Sequence, residues 1–156
     1  MRRKERAVTD CTRIAEIIRA CDCCRLGLRD GDGVYIVPLN FGFAEENDTW
    51  VLYFHGAGAG KKLTLLRANG RVGFEMDTGH ALVGDGCACS YTFHYQSVIG
   101  SGEVREVTDE CGKLAGLRCI MAHCTGREDW DFTAQELAQV TVLRLEITQV
   151  TCKAAP

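Results

Sequence analysis

Two apolar runs, Cys23–Leu28 and Val34–Phe43, are joined across Asp30-Gly31-Asp32-Gly33, and that junction constrains the fold more than any other feature. Glycine beside a short acidic residue accepts the positive φ that a tight antiparallel hairpin needs. The two runs are therefore read as neighbouring strands. Polar Glu45–Asp48 makes another turn, and Trp50-Val51-Leu52-Tyr53-Phe54 is a buried strand ending at His55. Arg71–Asp77 reads as a fourth strand and Thr78–Cys87 as a loop. A long extended stretch follows from about Tyr91 to Val107, with a bulge expected at Gly100-Ser101-Gly102. The last strand alternates Leu143, Leu145 and Ile147 inward against Arg144, Glu146 and Thr148 outward.

The helices are fewer and capped. Thr9 or Asp10 caps a first helix whose Ile14, Ile17, Ile18 and Cys21 form one apolar stripe. Lys61 to about Ala68 is a short helix stopped at Asn69-Gly70, and Thr108-Asp109 caps another through about Cys124. Thr133-x-x-Glu136 is a capping box for one more. Six strands in hairpin order rather than βαβ order argue for a mainly β (α+β) fold. The expected architecture is a small antiparallel barrel with peripheral helices, forming one domain over residues 1–156.

Composition narrows the function. A net charge of −3 gives no reason to expect nucleic acid as a partner. No apolar run is long enough to span a membrane. The basic opening Met1-Arg2-Arg3-Lys4-Glu5-Arg6 lacks the apolar stretch of a secretory signal, so the cytoplasm is the expected location. The ten cysteines then stand in a reducing compartment, where a disulfide framework is not expected. Only Cys21–Cys24 has C-x-x-C spacing, with no matching second pair, so no metal site is assigned. That pair also ends a helix, where the dipole opposes a thiolate. Most of the cysteines are read as small core residues.

The densest chemical feature is Tyr53-Phe54-His55-Gly56-Ala57-Gly58-Ala59-Gly60-Lys61-Lys62, a strand, a glycine loop and a helix start. Free N–H groups and the helix dipole favour an anion there, and two lysines in the first turn oppose that dipole unless an anion lies between them. A bound phosphate resolves the conflict; solvated lysines on a loop are the alternative. The P-loop pattern fails, because His55 occupies its first glycine position and Lys62 stands where Ser or Thr must follow. The dinucleotide pattern fails as well, since Lys61 replaces its third glycine.

Val34-Tyr35-Ile36-Val37-Pro38-Leu39-Asn40-Phe41-Gly42-Phe43, then Leu52-Tyr53-Phe54-His55-Gly56, Gly60-Lys61-Lys62 and Arg71-Val72-Gly73-Phe74-Glu75 follow one another in a familiar order. With Ala88-Cys89-Ser90-Tyr91, Tyr95-Gln96-Ser97-Val98-Ile99-Gly100-Ser101-Gly102 and the opening Met1-Arg2-Arg3-Lys4, they cover essentially the whole chain. The chain resembles the nitroimidazole-reductase branch of the pyridoxamine 5'-phosphate oxidase-like FMN-binding split-barrel family. The resemblance implies a six-stranded split barrel and a homodimer with FMN at the subunit interface. It implies cofactor contacts from Val37, Pro38, Leu39 and Asn40, partly through the main chain. It places Phe54 and His55 beside the site, Lys61 and Lys62 on the phosphate, and Ser97 on the cofactor from the long fifth strand. Its substrates would be small redox-active molecules such as nitroimidazole-type compounds.

One departure lies at the phosphate site, where the oxidase proper carries Ser-Arg-Lys-Gly and this chain has the longer Gly-Ala-Gly-Ala-Gly-Lys-Lys. The C-terminal Trp and Arg signature that holds pyridoxal phosphate is also missing, which argues against vitamin B6 oxidation. His55 is the one candidate for catalysis, as a proton donor near the flavin. Its alternative is a hydrogen-bonded residue closing the barrel end. His80, His94 and His123 are assigned no role. Trp130 and Phe132 are read either as a flap over the partner's flavin or as anchors of an acidic loop. Two rival functions stay open, a non-catalytic flavin carrier or sensor and a haem-binding relative of the same barrel.

Overall fold

A computed structural model describes residues 3–155; Met1 and Arg2 of the opening Met1–Lys4 match lie outside the described residues. The strands are β1 (Ala7–Val8), β2 (Cys24–Asp30), β3 (Gly33–Leu39), β4 (Gly42–Glu46), β5 (Thr49–Gly56), β6 (Arg71–Val83), β7 (Thr92–Val107) and β8 (Thr141–Ala155). The helices are α1 (Cys11–Ala20), α2 (Lys61–Ala68), α3 (Glu110–Thr125) and α4 (Ala134–Gln139). All strand pairs are antiparallel, in the open order β3-β2-β6-β7-β8-β5-β4, with β1 on β8. This is the split-barrel arrangement with helices at its periphery.

Local chemistry explains the elements that were read correctly. The Asp10 carboxylate accepts from the amides of Thr12 and Arg13, and α1 buries Ile14, Ile17 and Ile18. Gly31, at φ 58°, turns β2 into β3. Thr133 and Glu136 form the reciprocal capping box. The β7–β8 ladder slips between Ser101 and Gly102, at the expected bulge.

Three expectations change. The sheet has eight strands rather than six, because the run Val34–Phe43 is two strands rather than one and the short β1 adds to β8. It breaks at Asn40-Phe41, where the Asn40 amide donates to the Asp22 carbonyl at 2.9 Å and Phe41 enters the core. β3 then pairs with β2, but β4 pairs with β5 at the opposite end of the sheet order. Thr78–Val83 is not a loop. Gly79, at φ 68°, takes up a register slip, and β6 runs on to Val83 paired with the start of β7. The added length forms an arm on which Leu82, Val83, Tyr91 and Phe93 stay exposed.

The main core fills the barrel with Leu26, Leu28, Phe41, Leu52, Phe54, Phe74, Met76, Leu143 and Leu145. A second cluster, Val51, Tyr53, Leu117, Ile120, Leu137 and Val142, joins α3 and α4 to the outer side of β5 and β8. Alternation along β5 therefore assigns Leu52 and Phe54 to the barrel and Tyr53 to the helices.

Candidate functional site

Gly60 begins α2 without a side-chain cap, so the first-turn amides have no side-chain acceptor. The two lysines that follow part company. Lys61 Nζ lies 2.6 Å from Asp30 Oδ2 and 5.0 Å from the centre of the Tyr35 ring, which ties α2 to the tip of the β2–β3 hairpin. Lys62 folds back over the glycine loop, and a Cβ built on Gly56 would meet its Nζ at 2.7 Å. It is half-buried, and burial lowers its affinity for the proton below the ordinary lysine range. Among the described residues no carboxylate comes within ion-pair distance of it. A half-buried ammonium beside uncapped helix amides fits a phosphate group, and the absent Gly56 side chain leaves it room.

The remaining expected cofactor residues fall on two faces. Val37 and Leu39 pack toward the barrel core, whereas Pro38 is exposed on the outer face of β3 and Asn40 is exposed just past its end. Phe54 is fully buried, so contact from that position is limited to its main chain. Ser97 flanks buried Val98 and shares the outer sheet face with Pro38. Register links the two: Arg25 lies opposite Pro38 and Glu75, and Asp77 lies opposite Ser97. Between them Arg25 Nη1 donates to Asp77 Oδ1 at 2.7 Å and to Glu75 Oε2 at 3.0 Å. Partial burial tends to raise the Asp77 carboxyl, but the hydrogen bond and charge of Arg25 hold it below the usual carboxylate range.

His55 projects from β5 on the helix side. It lines a cavity of about 270 Å³ with Leu117, Ile120, Met121, Phe132 and Val140. Phe132 packs on the outer cluster, as a loop anchor does. Trp130 is held locally, its indole donating to the Arg127 carbonyl at 3.0 Å. A larger cavity of about 610 Å³ between α1, β4 and α3 includes Arg19 and Arg118, but these pair with Glu45 and Asp131.

Sequence reasoning did not single out the Arg25–Glu75–Asp77 cluster and assigned His80, which stands 2.8 Å from Asp77, no role. The available signal was parity: buried Leu26 and Leu28 on β2, and Phe74 and Met76 on β6, leave the intervening charged residues outward. The cysteines are all unpaired thiols, but the expectation that most are core residues fails: only Cys21, Cys24 and Cys152 are buried, while Cys11, Cys87, Cys89, Cys111 and Cys124 are exposed on helices and loops at the surface. Burial raises the Cys21 thiol to about 12 and the Cys119 thiol to about 11, so desolvation rather than a helix end is the leading cause of the shift. Among the described residues no group of three or more His, Cys, Asp or Glu is placed to hold a metal. No helix among them is long and apolar enough to cross a membrane.

Comparison with known proteins gives consistent results. The model of the family described as pyridoxamine 5'-phosphate oxidase matches residues 10–154. A candidate 5-nitroimidazole antibiotic resistance protein of Bacteroides thetaiotaomicron superimposes with a TM-score of 0.82 at 32% identity, over 95% of this chain and 86% of that one. The flavocytochrome Anf3 of Azotobacter vinelandii shares the fold at TM-score 0.80 and 22% identity, over 100% of this chain and 72% of its own. So does an FAD- and haem-binding protein of Mycobacterium smegmatis, at 0.81 and 17%, over 96% and 73%. No curated protein sequence matches the chain significantly.

Proposed function

This chain belongs to the pyridoxamine 5'-phosphate oxidase family, and from that premise we propose that it is a homodimeric FMN-binding reductase of small redox-active compounds. The observation that carries the cofactor is Lys62, a half-buried cation folded over Gly56 beside the uncapped start of α2. A terminal phosphate supplies the counter-charge, with Lys61 at the rim. The main chain of Val37–Asn40 and the hydroxyl of Ser97 would flank the ring system. Bound FMN would supply hydride and single-electron chemistry, and the protein supplies orientation and electrostatics.

A second copy of the chain is the proposed cover for the outer face, where Val34, Ile36 and Ile99 remain 69%, 62% and 57% exposed. Nitroimidazole-type compounds are the proposed substrates. The 32% identical Bacteroides relative supports that class. His55 would face such a substrate from the apolar cavity beside the glycine loop.

Absorption spectroscopy of freshly purified protein tests the cofactor. Flavin bands are expected, and mass analysis of the released chromophore should give FMN rather than FAD. A Soret band, or a colourless protein that leaves FMN fluorescence unquenched, overturns the reading. Anaerobic reduction of a 5-nitroimidazole by the protein, its flavin first reduced with dithionite, at a rate above that of free reduced FMN then separates a reductase from a carrier.

A further inference from the structure

His80 lies just past the Gly79 bulge of β6, on the arm that the sequence reads as a loop. Its Nε2 stands 2.8 Å from Asp77 Oδ2, while the other oxygen of Asp77 accepts from Arg25. The Phe93 ring of β7 lies 5.8 Å away, centre to centre. The groups around the imidazole are thus Asp77 on its own strand and the uncharged Phe93 of β7, with Arg25 of β2 on the far oxygen of Asp77 and Glu75 paired to that arginine.

We propose that His80, held by Asp77, is the proton-handling residue of the sheet face that carries Pro38 and Ser97. The inference rests on the flavin reading above and assigns that site a second histidine. A carboxylate kept ionised by Arg25 accepts a hydrogen bond from Nε2–H, which fixes the ring and leaves Nδ1 as the working atom. Asp77 is directly opposite Ser97 in the ladder, so the pair lies within the patch bounded by the expected cofactor contacts. Phe93 against the ring and Ile99 opposite Glu75 add exposed apolar surface beside it. Covering that surface removes water and strengthens the electrostatics of the pair. A substrate that accepts a hydride from the reduced cofactor also takes up one proton. His80 gives that proton from Nδ1–H of its doubly protonated ring, leaving the neutral ring with Nε2–H on Asp77, and water later returns a proton to Nδ1.

The test uses FMN as the probe, with wild type, His80→Gln and Asp77→Asn. In ¹⁵N-histidine spectra of the wild type, the ring signals lost in His80→Gln should move when FMN is added. His80→Gln should keep FMN affinity within about threefold but lower 5-nitroimidazole reduction by on the order of 10²-fold, with the alkaline limb of the pH profile displaced, because a proton donor is lost as it deprotonates. Asp77→Asn should displace the same limb with a smaller loss of rate. A merely structural role would lower the melting temperature and leave the pH profile in place. Bound FMN with unmoved His80 signals, or an unchanged profile in His80→Gln, overturns this inference alone. A wild-type protein that does not quench FMN overturns the flavin reading and this inference together.

Discussion

Lys61 Nζ sits 2.6 Å from Asp30 Oδ2, so one of the two lysines at the start of α2 already has a carboxylate partner and the other does not. Exposed ion pairs of this kind contribute little to stability. Its consequence is positional: it holds the first turn of α2 against the β2–β3 hairpin, and Lys62 is left to face the glycine loop.

That division ranks the lysines. Lys62→Ala should weaken FMN binding by about one to two decades, the loss of one charge-assisted contact of roughly 1.5–3 kcal/mol. Lys61→Ala alone should weaken it less, and the double variant more than either. Fluorescence titration of FMN measures all three, and unchanged affinity in the double variant removes the phosphate assignment.

Gly56→Ala probes the same corner without touching a charge. The new methyl would stand 2.7 Å from Lys62 Nζ, at the far end of a flexible side chain that swings aside. The melting temperature should stay near that of the wild type while FMN affinity falls. A loss of stability with affinity intact would contradict the cradle.

Gly42 marks the opposite case. A Cβ there would lie 2.5 Å from the Cys119 carbonyl carbon and 2.6 Å from the Ile120 nitrogen, both backbone of α3. Neither atom swings away. Gly42→Ala should cost about 1–3 kcal/mol, read by urea denaturation, with no selective effect on FMN.

The thiols should fall into classes. Cys21, Cys24 and Cys152 are buried, and burial raises the pKa of each, to about 12 for Cys21. They should resist a thiol reagent at neutral pH until the protein unfolds. Exposed Cys11, Cys87, Cys89 and Cys111 should react in the native state. Peptide mapping after timed alkylation distinguishes them, and early labelling of Cys24 would refute the core assignment.

His55 is exposed, and among the described residues no side-chain hydrogen bond holds it. His55→Ala should therefore shift stability by no more than about 0.5 kcal/mol and retain flavin. If it donates a proton to substrate, turnover with a 5-nitroimidazole should fall on the order of 10²–10⁴-fold. A flavin-replete variant with wild-type turnover eliminates the role.

Features with a local cause were legible in the chain itself. Asp10 caps α1, Gly31 turns the first hairpin, Thr133 and Glu136 close a capping box, and the glycine-lysine corner follows β5. Each depends on φ preferences or hydrogen bonds within a few residues. The break at Asn40-Phe41 does not, because continuous apolar sequence cannot say that β3 and β4 will choose partners at opposite ends of the sheet. Residues 78–83 became a strand only because the start of β7 returns alongside them. The same non-local pairing put Asp77 opposite Ser97 and within reach of Arg25, fifty-two positions earlier, and gave His80 a partner. Charges on alternate strand positions identify an outward face, but tertiary register decides which of them meet.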